Sequence, residues 1–476
     1  METLEGVYED ESESFRDSIA TVDKDGKRIW LYPKKPKGKF YNARTWLSIL
    51  LLGILFGTPF IKIGGEPLLL LDVINRRFVI FGQIFWPQDS FLFALGLITI
   101  ILFVVLFTVV YGRVFCGWIC PQTIFMEMVF RKIEYWIEGD WKKQQKLDKM
   151  PWNNEKVIKK TSKQLIFFLI SFLIANTFLA YFIGIEELIT IVTDPPSEHL
   201  AGLFSIILFS GAFYFVFSRL REQVCTTICP YGRLQGVLLD KSSIVVAYDY
   251  VRGEKRSKWR KQEDREAEGK GDCIDCKQCV HVCPTGIDIR NGTQLECVNC
   301  TACIDACDDI MLRINKPTGL IKYASEEGIA NNKPFRLTAR IKGYTGVLVI
   351  LVGVLVTLLL SRSDVETSIL RTPGMLYQEQ EDNKISNLYN IKMINKTNRD
   401  IPVELKLIES KGEIKLIGNN ITLEKQGKAE QALFLIFNKD DITKTKTQVE
   451  IGVYSNGELI ETVSTNFLGP VVIGNN

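Results

Sequence analysis

CIDCKQCVHVCP (Cys273–Pro284) and CVNCTACIDACD (Cys297–Asp308) decide how this chain is read. Each run is C-x2-C-x2-C-x3-C, and the second begins 24 residues after the first. Three thiolates at this spacing wrap one face of a cubane. The fourth enters from a helix start, which Pro284 favours in the first run. In the paired pattern the fourth cysteine of each run ligates the other run's cluster. One [4Fe–4S] cluster is therefore expected on Cys273, Cys276, Cys279 and Cys307, and a second on Cys297, Cys300, Cys303 and Cys283. Asp308 stands where the pattern's second proline would fall, which alters the local backbone but removes no ligand. A zinc site would need cysteine pairs separated by longer gaps.

The other four cysteines lie in VFCGWICPQ (Val114–Gln122) and QVCTTICPY (Gln223–Tyr231). Both elements end a long apolar run, and both read Cys-x-x-x-Cys-Pro. That spacing puts two sulfurs on one helical face, and the proline disfavours helix at the residue before it. If the two halves of this internal repeat pack side by side, Cys116, Cys120, Cys225 and Cys229 converge. Four soft thiolates suit Cu(I), an iron–sulfur centre or zinc. The plainer readings are a reversible dithiol pair or small-residue packing, and the shared proline weighs against both. The first proline opens PQTIFMEMVFRKIEYWIE (Pro121–Glu138), whose apolar stripe predicts a helix lying in the membrane interface.

Working outward, the 476 residues allow two or three compact units. A net charge of +3 argues against a nucleic-acid partner. All twelve cysteines fall between Cys116 and Cys307, which is the distribution of reduced metal ligands and not of a secreted disulfide scaffold. The first 40 residues are polar and show no signal peptide. Five apolar segments of spanning length are expected near residues 46–63, 91–111, 165–185, 200–217 and 344–360. None has a charge near its middle, which argues against ion or proton translocation. Lysine and arginine crowd KKPKGKF (Lys34–Phe40) and the loop between spans two and three, whereas EELITIVTDPPSEH (Glu186–His199) has neither. By the positive-inside rule the N-terminus, both Cys-x-x-x-Cys-Pro elements and the cysteine runs are cytoplasmic, and the tail beyond Ser361 is outside.

LLLLDVINRRFVIFG (Leu68–Gly82) predicts a hairpin against the membrane, and RGEKRSKWRKQEDREAEGKG (Arg252–Gly271) a solvated connector. From about Glu366, roughly seven alternating strands predict an immunoglobulin-like sandwich. The fold class is thus a multi-domain membrane protein: a helical bundle of five transmembrane helices, a cytoplasmic α+β ferredoxin-like domain with two [4Fe–4S] clusters, and a C-terminal all-β sandwich. The expected boundaries are residues 1–42 for a cytoplasmic tail and 43–240 for four spans with both repeats. Residues 241–343 form the ferredoxin domain, 344–361 the fifth span and 362–476 the extracytoplasmic domain. Neither haem nor flavin is expected, because the only histidines are His199 and His281 and C-x-x-C-H is absent.

CGWICPQTIFMEMVFRKIE, its echo CTTICPYGRLQGVLLD, the doubled cysteine run, five spans and a β-rich tail together resemble the CcoG/FixG/RdxA family, from about residue 25 to the end. The chain has Lys255 in RGEKR where that family has proline, a local difference in one turn. The resemblance implies a bacterial inner-membrane cupric reductase that supports cbb3-type cytochrome c oxidase maturation. It assigns copper handling to Cys116, Cys120, Cys225 and Cys229. Its implied partners are membrane lipid, a cytoplasmic electron donor, and oxidase assembly factors or copper chaperones, with a homodimer also compatible. The residues fit independently, since thiolates favour Cu(I) over Cu(II) and so pull the couple toward reduction. Two other functions remain open on the sequence: an electron-transfer subunit of a quinol-linked reductase, and a non-enzymatic assembly scaffold.

Overall fold

The structure, a computed structural model, describes residues 21, 25, 27–74, 76–85, 90–260, 263–331, 339–361, 363–374, 376–408, 411–418, 421–425, 427–442 and 444–470. Half of the expected N-terminal tail, residues 1–20, lies outside them. The described residues form two compact units. One joins the chain up to Pro59 with Ala94–Gly353, and the other joins Phe60–Phe93 with the chain from Val354 onward.

Among the described residues, five helices are long and apolar enough to cross a membrane: α1 (Lys39–Gly57), α2 (Ser90–Tyr111), α3 (Asn154–Ile183), α4 (Leu200–Phe215, continued as a π-helix over Val216–Leu220) and α5 (Ala339–Leu360). Helix α1 begins well before the expected Trp46, because its first turns are completed by other parts of the unit. The Asp305 carboxylate accepts from the backbone N–H of Phe40 at 3.1 Å and of Tyr41 at 2.8 Å, so a distant aspartate supplies the N-cap. Helix α3 is capped locally, Asn153 accepting from Lys156 N–H at 2.9 Å. Between α3, α4 and the segment after Pro121 lies a core of Phe130, Phe167, Ile174 and Phe217. Phe130 and Phe217 stack there at 4.5 Å.

The segment Pro121–Glu138, expected as an amphipathic helix, is buried on both faces within the protein. Ile124–Phe130 is wound as a π-helix whose Ile124, Phe125, Met126, Met128 and Phe130 are all buried. The polar face is buried too, at Arg131 and Glu134, while Trp136 of the predicted stripe is 79% exposed. The apolar stripe is real, but internal ion pairs pull the opposite face inward as well.

The cysteine runs are framed by antiparallel strands Val245–Tyr248 and Ile321–Ala324, in register Val245↔Ala324 to Tyr248↔Ile321. Beneath them pack Val246, Ile287, Ile289, Ile304, Met311 and Leu320. The two runs repeat one backbone: Asp275 and Lys277 flank Cys276, Asn299 and Thr301 flank Cys300, and all four have positive φ.

In the other unit, Leu69–Asp72, Arg77–Ile80 and Gln83–Phe85 form a three-stranded meander, one strand more than the predicted hairpin. The C-terminal region is an all-β sandwich. One sheet orders Glu413–Ile417, Lys428–Asn438, Lys384–Asn395 and Val365–Arg371, with Gln378–Gln380 also on Lys384–Asn395. The other orders Ile421–Leu423, Ile401–Ile408, Lys446–Ser455 and Glu458–Leu468. Side chains such as Tyr389, Leu433, Ile451 and Phe467 alternate inward to fill the space between the sheets.

Candidate metal centres

The eight cysteines of the two runs surround two small, adjacent cavities. Cys273, Cys276, Cys279 and Cys307 line one, with Ile274, Met311, Leu320 and Ile321. Cys283, Cys297, Cys300 and Cys303 line the other, with Val246, Ile287, Ile289 and Val298, and Cys279 borders this cavity as well as the first. Each cavity thus brings together the four cysteines that the spacing groups, one of them from the other run, with Cys279 lying between the two. Most of the remaining wall is apolar, with Tyr248, Lys277 and Arg290 bordering the first cavity and Thr285 and Thr301 the second, which suits an anionic group that needs thiolates and limited access of water.

Burial is the main influence on these thiols. It pushes Cys279 and Cys297 up to about 12 and Cys300 up to about 11, with mutual repulsion among the cysteines adding to it. Thiols so raised ligate only as thiolates, so binding a metal group there would release protons.

Tyr248 adds a polar feature to the first cavity. Its hydroxyl is buried and has the Cys273 sulfur as its neighbour. Burial first, and Cys273 next, hold the phenol protonated. Gly253 makes room for it, since a Cβ there would sit 2.2 Å from the tyrosine oxygen. A buried O–H beside a cysteine sulfur is placed to donate to it, and hydrogen bonds to sulfur raise a cluster's potential. Tyr248→Phe is expected to lower the potential of the centre held by Cys273 by on the order of 50 mV, the one-electron equivalent of ~1 kcal/mol for one hydrogen bond. Potentiometric EPR titration reads the shift, with iron content unchanged.

The four cysteines of the Cys-x-x-x-Cys-Pro elements lie within electrostatic reach of one another, although no three of their sulfurs converge to within 4.8 Å. Cys116 sits on the short helix Val114–Trp118, and Cys120 follows in extended backbone immediately before Pro121. Cys225 lies in the π-helix Val224–Ile228, and Cys229 is extended before Pro230, which opens Pro230–Leu238. Burial raises Cys116 to about 12, with Cys120 and Cys229 acting the same way against Arg113. Burial likewise raises Cys225 to about 12, seconded by Cys120, Cys116 and Cys229. Cys116 Sγ lies 3.0 Å from Gln235 Oε1. None of the twelve cysteines is in a disulfide.

This second site abuts the second cavity. Cys116 and Cys225 pack with Val282, Val298, Cys300 and Ala302. Gly117 allows the approach, because a Cβ there would fall 2.5 Å from Val298 O and 2.6 Å from Asn299 O. Two arginines that the sequence reading passed over bind the parts together. Buried Arg44 donates to Gly117 O and Cys300 O, both at 2.9 Å. Arg113 donates to Leu295 O and Gly232 O, joining α2's end to the second run and the second repeat.

A buried charge network, also unforeseen, sets the two repeats against each other. Arg221, shortly before Cys225, donates to both oxygens of Glu134 at 2.7 and 2.8 Å. Lys163 lies 3.6 Å from Glu134 and 2.9 Å from Glu138, and Arg131 lies 3.0 Å from Glu127. Arg221 and Glu134 are 2% and 1% exposed. Arg221 is held at φ 54, a region costly for any residue but glycine. A signal existed: a basic residue shortly precedes each Cys-x-x-x-Cys-Pro element.

Residues 220–326 match the family described as "4Fe-4S dicluster domain". Residues 93–144 match "4Fe-4S binding domain", and residues 355–470 match "IG-like fold at C-terminal of FixG". Protein RdxA of Cereibacter sphaeroides is 36% identical over 392 residues, covering 78% of this chain and 81% of its own. Nitrogen fixation protein FixG of Rhizobium meliloti is 37% identical over 314 residues, covering 64% and 59%. Protein RdxB of Cereibacter sphaeroides is 35% identical over 384 residues, covering 78% and 80%. The chain is accordingly an iron–sulfur membrane protein with an immunoglobulin-like C-terminal domain.

Proposed function

The chain belongs to the FixG/RdxA family, and on that premise we propose that it is a membrane-bound cupric reductase supporting copper delivery to a cbb3-type cytochrome c oxidase. The observation that carries this reading is the packing of Cys116 and Cys225 against the loop of Cys300. Bound on Cys273/Cys276/Cys279/Cys307 and Cys283/Cys297/Cys300/Cys303, two [4Fe–4S] clusters supply one-electron relay chemistry. The chain's own residues give that relay two ends. Cys276 and Cys300 occupy matching places in the repeated backbone, yet Cys276 is exposed and Cys300 is buried beside Cys116 and Cys225.

The membrane-edge thiols are the substrate site. Each Cu(II) gains one electron and leaves as Cu(I), the state that four soft sulfurs favour. Arg44 and Gly117 hold this site against the Cys300 loop, and Arg221 with Glu134 fixes one repeat on the other. The ferredoxin-like domain and the thiol site face the cytoplasm, and the sandwich faces outward to meet the assembly partner.

A second reading is favoured by one finding: the match described as "4Fe-4S binding domain" over residues 93–144 takes in Cys116 and Cys120. There the four membrane-edge cysteines hold a further cluster. Metal analysis of anaerobically purified protein separates the two readings. The copper reading expects about eight irons per chain, from two four-iron clusters. It also expects stoichiometric reoxidation of the dithionite-reduced protein by Cu(II), abolished in the Cys116→Ala/Cys120→Ala variant. About twelve irons, falling by about four in that variant, would establish the alternative.

A further inference from the structure

Of the twelve cysteines, Cys276 is the one that is exposed. It lies on the cavity lined by Cys273, Cys279 and Cys307, and the adjacent Lys277 is exposed with it. Its counterpart Cys300 faces inward, so an electron arriving from water meets this centre at Cys276. What surrounds Cys276 therefore bears on what delivers the electron.

The surroundings are cationic and built in place. Lys34 is tied to the helix Gln278–His281, its N–H donating to His281 O at 2.7 Å and its ammonium to Gln278 Oε1 at 2.8 Å. Trp141 stacks on His281 at 4.9 Å, and the Lys142 ammonium lies 5.4 Å from the Trp141 ring centre. Lys277 opens the same helix. None of these three ammonium groups is ion-paired to a carboxylate among the described residues, and the neighbouring Asp275 is taken by Arg290 at 2.7 Å.

Beyond Lys34 the same surface continues as a groove lined by Lys35, Lys37, Lys39 and Lys143. The acids of that groove are occupied internally. Asp305 caps α1, Asp308 accepts from Gly319 N–H at 2.8 Å, and Asp309 pairs with Arg313 at 2.7 Å. Asp140 accepts from the N–H of Trp141 and of Lys35, both at 2.9 Å. These bonds leave the four carboxylates charged, but Lys34, Lys35, Lys37, Lys39, Lys143 and Arg313 outnumber them along the groove, so the field of the face is positive.

We propose that the Lys34–Lys142–Lys277 face is the docking site of a small acidic one-electron carrier protein, with Cys276 as the point of electron entry. This rests on the iron–sulfur relay described above. The reduced carrier gives up one electron and the centre behind Cys276 gains it; no bond forms and no proton moves. Complementary charge steers such partners into contact and raises their on-rate tenfold or more at low salt.

The test uses the full-length holoprotein in lipid nanodiscs and a photoreduced plant-type [2Fe–2S] ferredoxin, an acidic protein, as probe. Stopped-flow bleaching gives the second-order rate constant. It is expected to fall at least about tenfold between low and high salt, and by a similar factor in the Lys34→Glu/Lys142→Glu/Lys277→Glu variant. The milder triple Lys→Gln variant should fall part way. Reduction by a photogenerated deazaflavin radical and the iron content should both stay at wild-type values. A charge-reversed variant that accepts electrons from ferredoxin at the wild-type rate overturns the proposal. So does a variant that keeps that rate but no longer binds vesicles rich in phosphatidylglycerol, which would assign the lysines to lipid headgroups. A wild-type protein without iron or visible absorbance would overturn the relay itself, a distinct result.

Discussion

Gly117→Ala is expected to separate the thiol site from the cysteine runs. The new Cβ would fall 2.5 Å from Val298 O and 2.6 Å from Asn299 O, and both atoms are backbone. Backbone cannot turn aside as a side chain can, so the helix Val114–Trp118 or the Cys297–Cys300 loop must shift. The expected loss of stability is about 3 kcal/mol, the upper end for overpacking. The functional loss should be larger than the loss of stability. Reoxidation of the reduced protein by Cu(II) should slow about a hundredfold, the scale that one ångström of misplacement costs. Iron content and the reduced spectrum should remain. A Gly117→Ala protein that reoxidises at the wild-type rate would refute transfer across this contact.

Arg221→Ala should be the most destabilising single change outside the metal ligands. It leaves Glu134 buried after removing the fork that satisfies both its oxygens, a loss of about 3–5 kcal/mol for a broken buried pair. Lysine cannot replace the two parallel hydrogen bonds, so Arg221→Lys should recover only part of it. Burial pushes the Glu134 carboxyl upward, but Arg221, Lys163 and Arg131 outweigh it and hold the group below the ordinary glutamate range, at about 2. A carboxyl whose folded value lies below its unfolded one stabilises the fold fully above the ordinary range. It loses that contribution as pH falls through the folded value. Thermal unfolding in detergent should therefore show wild type losing stability between pH 4.5 and pH 2. Arg221→Ala should be weaker already at neutral pH and fall less steeply on acidification. Because Arg221 lies close to Cys225, copper retention should drop in the same variant.

What could be read from the sequence followed from how local its cause is. Cluster ligands are spaced by the geometry of the group they hold, so the two cavities gather the sets that two short runs predict. Spanning helices are legible because length and apolarity suffice. The charge network was not, because Glu127, Arg131, Glu134 and Glu138 recur at helical spacing and look like a solvated face. What buries them is Arg221, 87 residues from Glu134 in sequence. The same holds for α1, whose early start depends on Asp305, 265 residues from Phe40. In the sandwich, Gln378–Gln380 and Ile421–Leu423 are three residues each, too short to show alternation, so nine strands stand where about seven were expected.

The stretch from Arg28 to Arg44 has a consequence for the order in which the protein is made. Arg28 reaches Glu222, Tyr32 reaches Asp148, Lys34 reaches Gln278, and Arg44 reaches Cys300, 256 residues downstream. At about 5–20 residues per second, roughly ten to fifty seconds separate the synthesis of Arg44 from that of its acceptor. Gly117, its other acceptor, is made after only 73 residues, so for most of that interval the guanidinium has one of its two final partners. The strap is made first, yet its contacts with the cysteine runs can form only once Gln278 and Cys300 have been made. Shorter translation products therefore lack the amino-terminal cover over those runs, and it can be completed while the helix from Ala339 and the sandwich are still to come.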